Sequence, residues 1–318
     1  MSKQAVAGID IGGTKIAVAL SDTDGRLLSL SRFATRLELG PYVIMEEAAK
    51  EVERLIEEAG ARLLAVGVGC GGPLDRERGL ILSSPNLTGW DEFPLIPLLE
   101  ERFKVPALLE NDANAAALGE YQRGAGRGLR DIVYITISTG IGGGIIIGGK
   151  LLHGVYDGAG EVGHTTVLPG GPKCGCGARG CMEAICSGTS IARRARERLS
   201  SGARSVLREM GGGIDAVTAR MVAEAAREGD ALATEIWDET VYYLAVGIGN
   251  IVNILAPEAV ILGGGVSTSG EQLLEPLRHQ VRSSIKMLPP DKINILQAAL
   301  GGDSAIHGAL ILGARAIA

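Results

Sequence analysis

Residues 161–183 read EVGHTTVLPGGPKCGCGARGCME, and the rest of the chain is organised around them. Cys174, Cys176 and Cys181 fall in one turn-rich stretch, and His164 lies a short glycine-proline loop upstream. Three thiolates and an imidazole can therefore converge on one tetrahedral ion, the donor set of a structural zinc site. Glu161 and His164 are one turn apart if this stretch is helical, and Glu183 follows the last cysteine, so closing the loop on a metal also gathers two carboxylates. Cytosolic cysteines are ordinarily buried or isolated thiols, but these three sit among glycines that bury nothing. Sulfurs separated by a single residue bridge poorly, and the remaining cysteines, Cys70 and Cys186, have apolar or helical surroundings. A nucleic-acid-binding zinc ribbon would supply two paired knuckles, and only one is present.

A chain of 318 residues is long enough for two domains, and 46% hydrophobic residues suffice to give each a core. The 47 glycines cluster after apolar runs, which suggests backbone that must come close to ligands. A formal charge of -6 and 3% aromatics argue against phosphate-backbone binding and base stacking, hence against a nucleic-acid partner. No signal-peptide pattern opens the sequence, and no apolar run reaches membrane-spanning length without glycines or charges. A reducing cytoplasm and no membrane partner are expected.

Residues 6–10 form a short apolar strand ending in Asp10, followed by Ile11-Gly12-Gly13-Thr14-Lys15 and a second strand at 16–20. This is a hairpin with a glycine tip whose N–H groups can face an anion, with a hydroxyl and a cation added by Thr14 and Lys15. An ordinary hairpin gives the same pattern, and the P-loop does not. The unit recurs at 132–138, where a strand runs into Thr139-Gly140-Ile141-Gly142-Gly143-Gly144 and another strand at 145–147. Two such units suggest a duplicated fold whose halves face each other over a phosphate chain. A third strand at 259–262 runs into Gly263-Gly264-Gly265, where an adenine or ribose can lie against backbone. Helical periodicity at 42–59 followed by a strand at 63–68 favours α/β architecture. The strand at 105–109 delivers Glu110-Asn111-Asp112 to its carboxyl end, before an alanine-rich helix. Asp112 stands where α/β folds put their chemistry, and also where a helix takes an N-cap. The basic run with Arg193, Arg194, Arg196 and Arg198 reads as a solvated helix face. Helices are expected at 217–227, 231–254 and 304–317, the last with Asp303 as its cap.

DIGGTK, GGPLD, ENDANAAALGE, STGIGGGI, GEVGH and CGCGARGCME occur in this order and together resemble the ROK family of bacterial sugar kinases, most closely its glucokinase branch, over essentially the whole chain. The resemblance implies an actin-like, hexokinase-like ATPase fold with a ribonuclease H-like duplication: two α/β domains around a cleft, here 1–112 plus 301–318 and 113–300. It implies transfer of the γ-phosphate of ATP to the 6-hydroxyl of glucose, with Asp112 as general base. Asn111, Glu161, His164 and Glu183 match the family's sugar ligands, with Gly72 and Asn86 as additions. Asp10 would orient hydrated Mg²⁺, while Gly12, Gly13, Thr14, Lys15, Thr139, Gly140, Gly142 and Gly143 would hold phosphates and Gly264 and Gly265 the nucleoside. His164, Cys174, Cys176 and Cys181 would hold structural Zn²⁺, and a homodimer or homotetramer is implied. Kinases for N-acetylmannosamine, N-acetylglucosamine or another hexose share the constellation, and ADP or polyphosphate would place similar anions on the tips. The family's sugar-responsive repressors carry an N-terminal winged-helix domain, for which a hairpin starting at Asp10 is expected to leave no room. A dinucleotide-dependent oxidoreductase would need GxGxxG leading into a helix, which neither tip supplies.

Overall fold

The computed structural model describes residues 3–83 and 87–317. Twelve strands are present among them, in chain order β1 Lys3–Ile11, β2 Lys15–Asp22, β3 Leu27–Ala34, β4 Ala61–Cys70, β5 Leu74–Asp75, β6 Leu80–Ile81, β7 Ala107–Asn111, β8 Ile132–Ile137, β9 Ile141–Ile147, β10 Lys150–Leu151, β11 Ala259–Gly263 and β12 Ile295–Gln297. The helices are α1 Pro41–Ala59, α2 Leu95–Phe103, α3 Asp112–Arg123, α4 Met182–Cys186, α5 Gly188–Ser200, α6 Ala219–Arg227, α7 Ala231–Leu255, α8 Glu271–Ser284 and α9 Ser304–Arg315.

Two five-stranded sheets carry the architecture, ordered β3-β2-β1-β4-β7 and β10-β9-β8-β11-β12, and they repeat one topology. In each, an antiparallel meander forms one side, and two further strands lie parallel to the meander's first strand on the other. The duplication read from the glycine tips is therefore the fold itself, an α/β actin-like ATPase architecture. Helices supply the crossovers that parallel strands require. In α1, Ile44, Met45, Ala48, Ala49, Val52 and Leu55 are buried at helical spacing, and Gly60 ends the helix in the left-handed region at φ 59°.

Two helices join the halves. In α3 every residue from Ala113 to Glu120 is buried, because the helix packs on β8 and β9 on one side and on α9 on the other. The two helices approach closely through glycine: a Cβ on Gly308 would overlap the Ala115 carbonyl, one on Gly119 the Ser304 carbonyl, and one on Gly67 of β4 the Ala309 carbonyl. At the far end of α3 the wholly buried Glu120 accepts hydrogen bonds from the N–H groups of Ala125, Ala299 and Leu300 and from the Ser304 hydroxyl. A buried carboxylate is tolerated when several donors share its charge.

Three expectations are corrected. Gly142, Gly143 and Gly144 belong to β9, not to the tip, because strand pairing with β8 begins at Ile141. Asp303 makes no capping bond; it pairs with Arg32 on β3. The basic run of α5 is no solvated face: Arg194 reaches Glu239, Thr240 and the Ile236 carbonyl, Arg196 the Val217 carbonyl and Arg198 Glu235, so the run fastens α5 to its neighbours. Among the described residues no helix is long and apolar enough to cross a membrane.

Gly308→Ala is expected to destabilise the protein by about 1–3 kcal/mol or more, since backbone must move to admit the methyl group. Gly302→Ala, which meets nothing, serves as the neutral control. Equal urea midpoints for the two variants would show that α9 does not need this close approach.

Candidate active site

Three parallel strands, β1, β4 and β7, end side by side. In their register Asp10 stands opposite Gly69 and Gly69 opposite Glu110, while Ile11, Cys70 and Asn111 form the next row. Chemistry in α/β folds gathers at this carboxyl edge. Gly69 is the spacer: a Cβ there would lie 3.7 Å from Asp10 Oδ1 and 3.9 Å from the Asp112 Cα. A side chain at 69 would crowd the Asp10 carboxylate and the start of α3.

The capping position at the start of α3 is taken by the neighbour of Asp112. Asn111 caps α3, its Oδ1 accepting from the N–H groups of Ala113 at 2.9 Å and Asn114 at 3.3 Å. Asp112 is the first helical residue and takes one bond, from Ala113 N at 2.8 Å. Its side chain is reached by solvent but crowded by protein, as for a group on the floor of an open cleft. Burial raises its pKa, the Ala113 N–H opposes the shift, and the Glu161 carboxylate adds to it. Asp10 is pushed up to about 7 by burial and then by Asp112, with Lys15 and Arg32 pulling the other way. The Nδ2 of Asn111 faces the same space, 3.5 Å from where a Cβ of Gly72 would be.

The carboxyl edge of the second sheet contributes the other wall. The tip between β8 and β9 is residues 138–140, closed by a bond from Ser138 N to the Gly140 carbonyl at 2.8 Å. Glu183, at the start of α4, accepts from Ile141 N at 2.8 Å, and a Cβ on Gly140 would run into its carboxylate. Gly140 is thus open because Glu183 occupies that side. Gly142 faces Ala113 and Gly143 faces Val162 and the Gly160 carbonyl, so both serve close packing against α3 and the segment before Glu161. Gly264 holds φ 83° with its backbone against that of Ile137, and Gly265 has open space beside it. In the first sheet, Gly12 N closes the β1–β2 tip on the Lys15 carbonyl at 3.0 Å, leaving Gly13 partly exposed and Thr14 and Lys15 exposed. Thr139 is likewise exposed. Asn86 lies outside the described residues.

His164 joins this wall to the cysteine cluster. Its Nδ1 is 3.6 Å from Cys174 Sγ, its Nε2 is 3.8 Å from Glu161 Oε2, and Cys176 Sγ is 3.7 Å from Cys181 Sγ. The four donor atoms of His164, Cys174, Cys176 and Cys181 all lie within 4.8 Å of one another. A tetrahedron with zinc–sulfur bonds of ~2.3 Å has edges of about 3.8 Å, so the cluster has the right size as well as the right donors. Burial raises the Cys174 thiol to about 12, an environment that only a cation would turn in favour of the thiolate.

The sequence reading missed Glu110, Arg76, His153 and Asp157, which meet beneath this site. Its only advance signal was a charged residue at the end of an apolar strand, which must find a partner when buried.

The ROK family profile matches residues 6–316, and the chain belongs to the ROK family. It is 37% identical to the glucokinase of Halalkalibacterium halodurans over 312 residues, covering 97% of this chain and 94% of the relative. With the glucokinase of Thermotoga maritima it shares 39% identity over 310 residues, 97% of each. A crystal structure of a ROK family glucokinase from Streptomyces griseus in complex with glucose and AMPPNP matches with a TM-score of 0.80 at 37% identity, covering 98% of this chain and 99% of that one.

Asp10 gives a stability prediction. A carboxyl whose folded pKa lies above its unfolded value binds its proton more tightly when folded, so the protein loses stability as pH rises from about 4 to about 7. Without added nucleotide or Mg²⁺, Asp10→Asn should match the parent's Tm near pH 4 and exceed it increasingly up to pH 7, then hold that gain. A Tm difference independent of pH would refute the shift.

Proposed function

We propose that the protein is an ATP-dependent glucokinase that transfers the γ-phosphoryl group of ATP to the 6-hydroxyl of glucose. The observation that carries the mechanism is the division of labour at the start of α3, where Asn111 caps the helix and leaves Asp112 free to face the cleft. In this reading Asp112 accepts the proton of the 6-hydroxyl as its oxygen attacks the γ-phosphorus. The bond to the bridging oxygen breaks, and ADP departs with the electron pair. Such transfers have a loose transition state, so alignment and charge stabilisation do most of the catalysis. A carboxylate with a raised pKa is the stronger base for the remaining step.

We assign the sugar hydroxyls to Asn111, Glu161, His164 and Glu183, with Gly72 and Asn86 beside them. The phosphates fall to the two tips, through Gly12, Gly13, Thr14 and Lys15 and through Thr139 and Gly140, and the nucleoside to Gly264 and Gly265. Asp10 would hold hydrated Mg²⁺, which when bound neutralises phosphate charge. His164, Cys174, Cys176 and Cys181 would hold Zn²⁺, a structural ion; with Nδ1 committed to it, the imidazole keeps Nε2–H for a sugar oxygen or Glu161. The five unbridged cysteines suit a reducing cytoplasm. We divide the chain into 1–112 plus 301–318 and 113–300, with α3 and α9 at the junction.

The test is a phosphorylation assay with Mg-ATP against glucose, mannose, fructose, N-acetylglucosamine and N-acetylmannosamine. Glucose should have the highest kcat/KM, and Asp112→Asn should lower kcat by about 10²–10⁴-fold while glucose still binds. Preference for an acetamido sugar would overturn the substrate, and near-normal turnover by a folded Asp112→Asn protein would overturn the base.

Elemental analysis of protein purified without chelator should find one zinc per chain. Cys181→Ser should lose it and bind glucose more weakly, because glycine-rich loops cannot hold their shape by packing alone. Full activity without zinc would remove the metal from the account.

A further inference from the structure

Glu110 is 3% exposed and directly precedes Asn111 and Asp112. Its carboxylate accepts from His153 Nε2 at 2.9 Å, Arg76 Nη1 at 3.2 Å, Asn114 Nδ2 at 3.0 Å and its neighbour's backbone N–H, that of Asn111, at 3.0 Å. Burial alone would raise its pKa; the bond from His153, the charge of Arg76 and the bond from Asn114 outweigh it and hold the group below the usual carboxylate range. Arg76 also reaches Asp157 Oδ1, at 3.4 Å, through its Nε.

The partners come from three segments. Arg76 lies in the turn between β5 and β6, just after Gly72. Glu110 is the last residue but one of β7 in the first sheet. His153 and Asp157 lie after β10 of the second sheet, in the segment that runs directly into Glu161. That segment has little else to hold it: Val155 is 80% and Tyr156 98% exposed. Tyr156 and Asp157 occupy the left-handed region at φ 54° and 56°, which non-glycine residues adopt only when something fixes them. The ion pair of Asp157 with Arg76 is such a fixture, and the bond from His153 to Glu110 is a second.

We propose that Glu110, Arg76, His153 and Asp157 form a latch that ties the segment leading to Glu161, in the second half, to the strand that carries Asp112, in the first. These are positioning residues. They touch no reacting atom, and they hold the sugar-binding groups of one half at working distance from the base on the other. The proposal rests on the sugar-kinase reading and adds a specific consequence: the latch acts on the sugar and leaves the nucleotide alone, since none of the bonds that hold the four residues together involves a glycine tip.

The experiment measures glucose Kd by calorimetry without nucleotide, then KM for ATP, kcat and Tm, for the parent, Arg76→Met, Arg76→Lys, His153→Leu and the Arg76→Met/His153→Leu double variant. Networks of this kind modulate coupling enough to shift affinity by about threefold to thirtyfold. Arg76→Met and His153→Leu should each weaken glucose binding within that range and leave the KM for ATP unchanged. Arg76→Lys should recover part of the loss, because a point charge still pairs with Glu110 but cannot serve Asp157 together with it. The double variant should lose less than the sum of the two, since both act through Glu110. Unchanged glucose affinity with only a lowered Tm would make the cluster merely structural and overturn the latch, as would equal losses for glucose and ATP. Because the affinity is read without turnover, a parent that binds glucose but phosphorylates no hexose would sink the kinase reading while the latch is still decided. A parent that binds no hexose would sink both.

Discussion

Helix α9 can lie on β1 and β4 and against α3 only because glycine stands wherever backbone meets backbone. The contacts at Gly67, Gly119 and Gly308 are approaches of a Cα to a carbonyl, with no side chain between. Interiors are close-packed, and one methyl group at such a point displaces an element. The consequence reaches the site, because α3 is clamped from three directions. Glu120 fixes its far end to residues 299–304, Gly142 and Gly144 let β9 approach its Ala113 and Ala117 faces, and α9 covers the remaining side. Asp112 is the first residue of that helix, and its position follows from the position of the whole rod.

Within this frame the cleft collects negative charge. Asp112 raises the pKa of Asp10, Glu161 raises that of Asp112, and Glu183 lies across from them on the second sheet. Like charges in a partly desolvated space cost stability, so this arrangement favours cationic or hydroxyl-rich guests over bare anions. Lys15 and Arg32 are the opposing charges that bear on Asp10, and Arg32 is already engaged with Asp303. A polyanionic phosphate chain entering here would need accompanying cations, and a positive ion beside Asp10 would favour the anion of a carboxyl that otherwise stays protonated to about neutral pH.

The parts legible in the sequence are those whose partners are close along the chain. The glycine tips sit between apolar runs, and their repetition revealed the duplicated sheets. The cysteine cluster declared itself because its donors span eighteen residues, from His164 to Cys181. The parts that stayed hidden depend on arrivals from afar. Arg76 and His153 reach Glu110 from 34 and 43 residues away, and periodicity says which face of an element is buried without saying what covers it. Composition misled for the same reason at Arg194, which is charged and on a helix yet sits under Glu239 and Thr240. At Gly142 and Gly143 the residue type was informative and its purpose was not, since glycine serves close packing and ligand approach equally well.

The order of Asn111 and Asp112 carries its own chemical argument. A helix N-terminus favours an anion through its free N–H groups and dipole, which lowers a carboxylate's pKa and weakens it as a base. Here the neutral amide takes the capping position and two of those N–H groups, and the carboxylate one place later shares only the Ala113 N–H. Burial and the nearby Glu161 then prevail, and the pKa of Asp112 rises instead of falling. With the two residues exchanged, the carboxylate would be held by the cap, its charge satisfied, and the amide left facing the cleft would accept no proton. The sequence Asn-Asp, and not Asp-Asn, is what allows one helix end to be firmly built and still present a carboxylate of raised pKa.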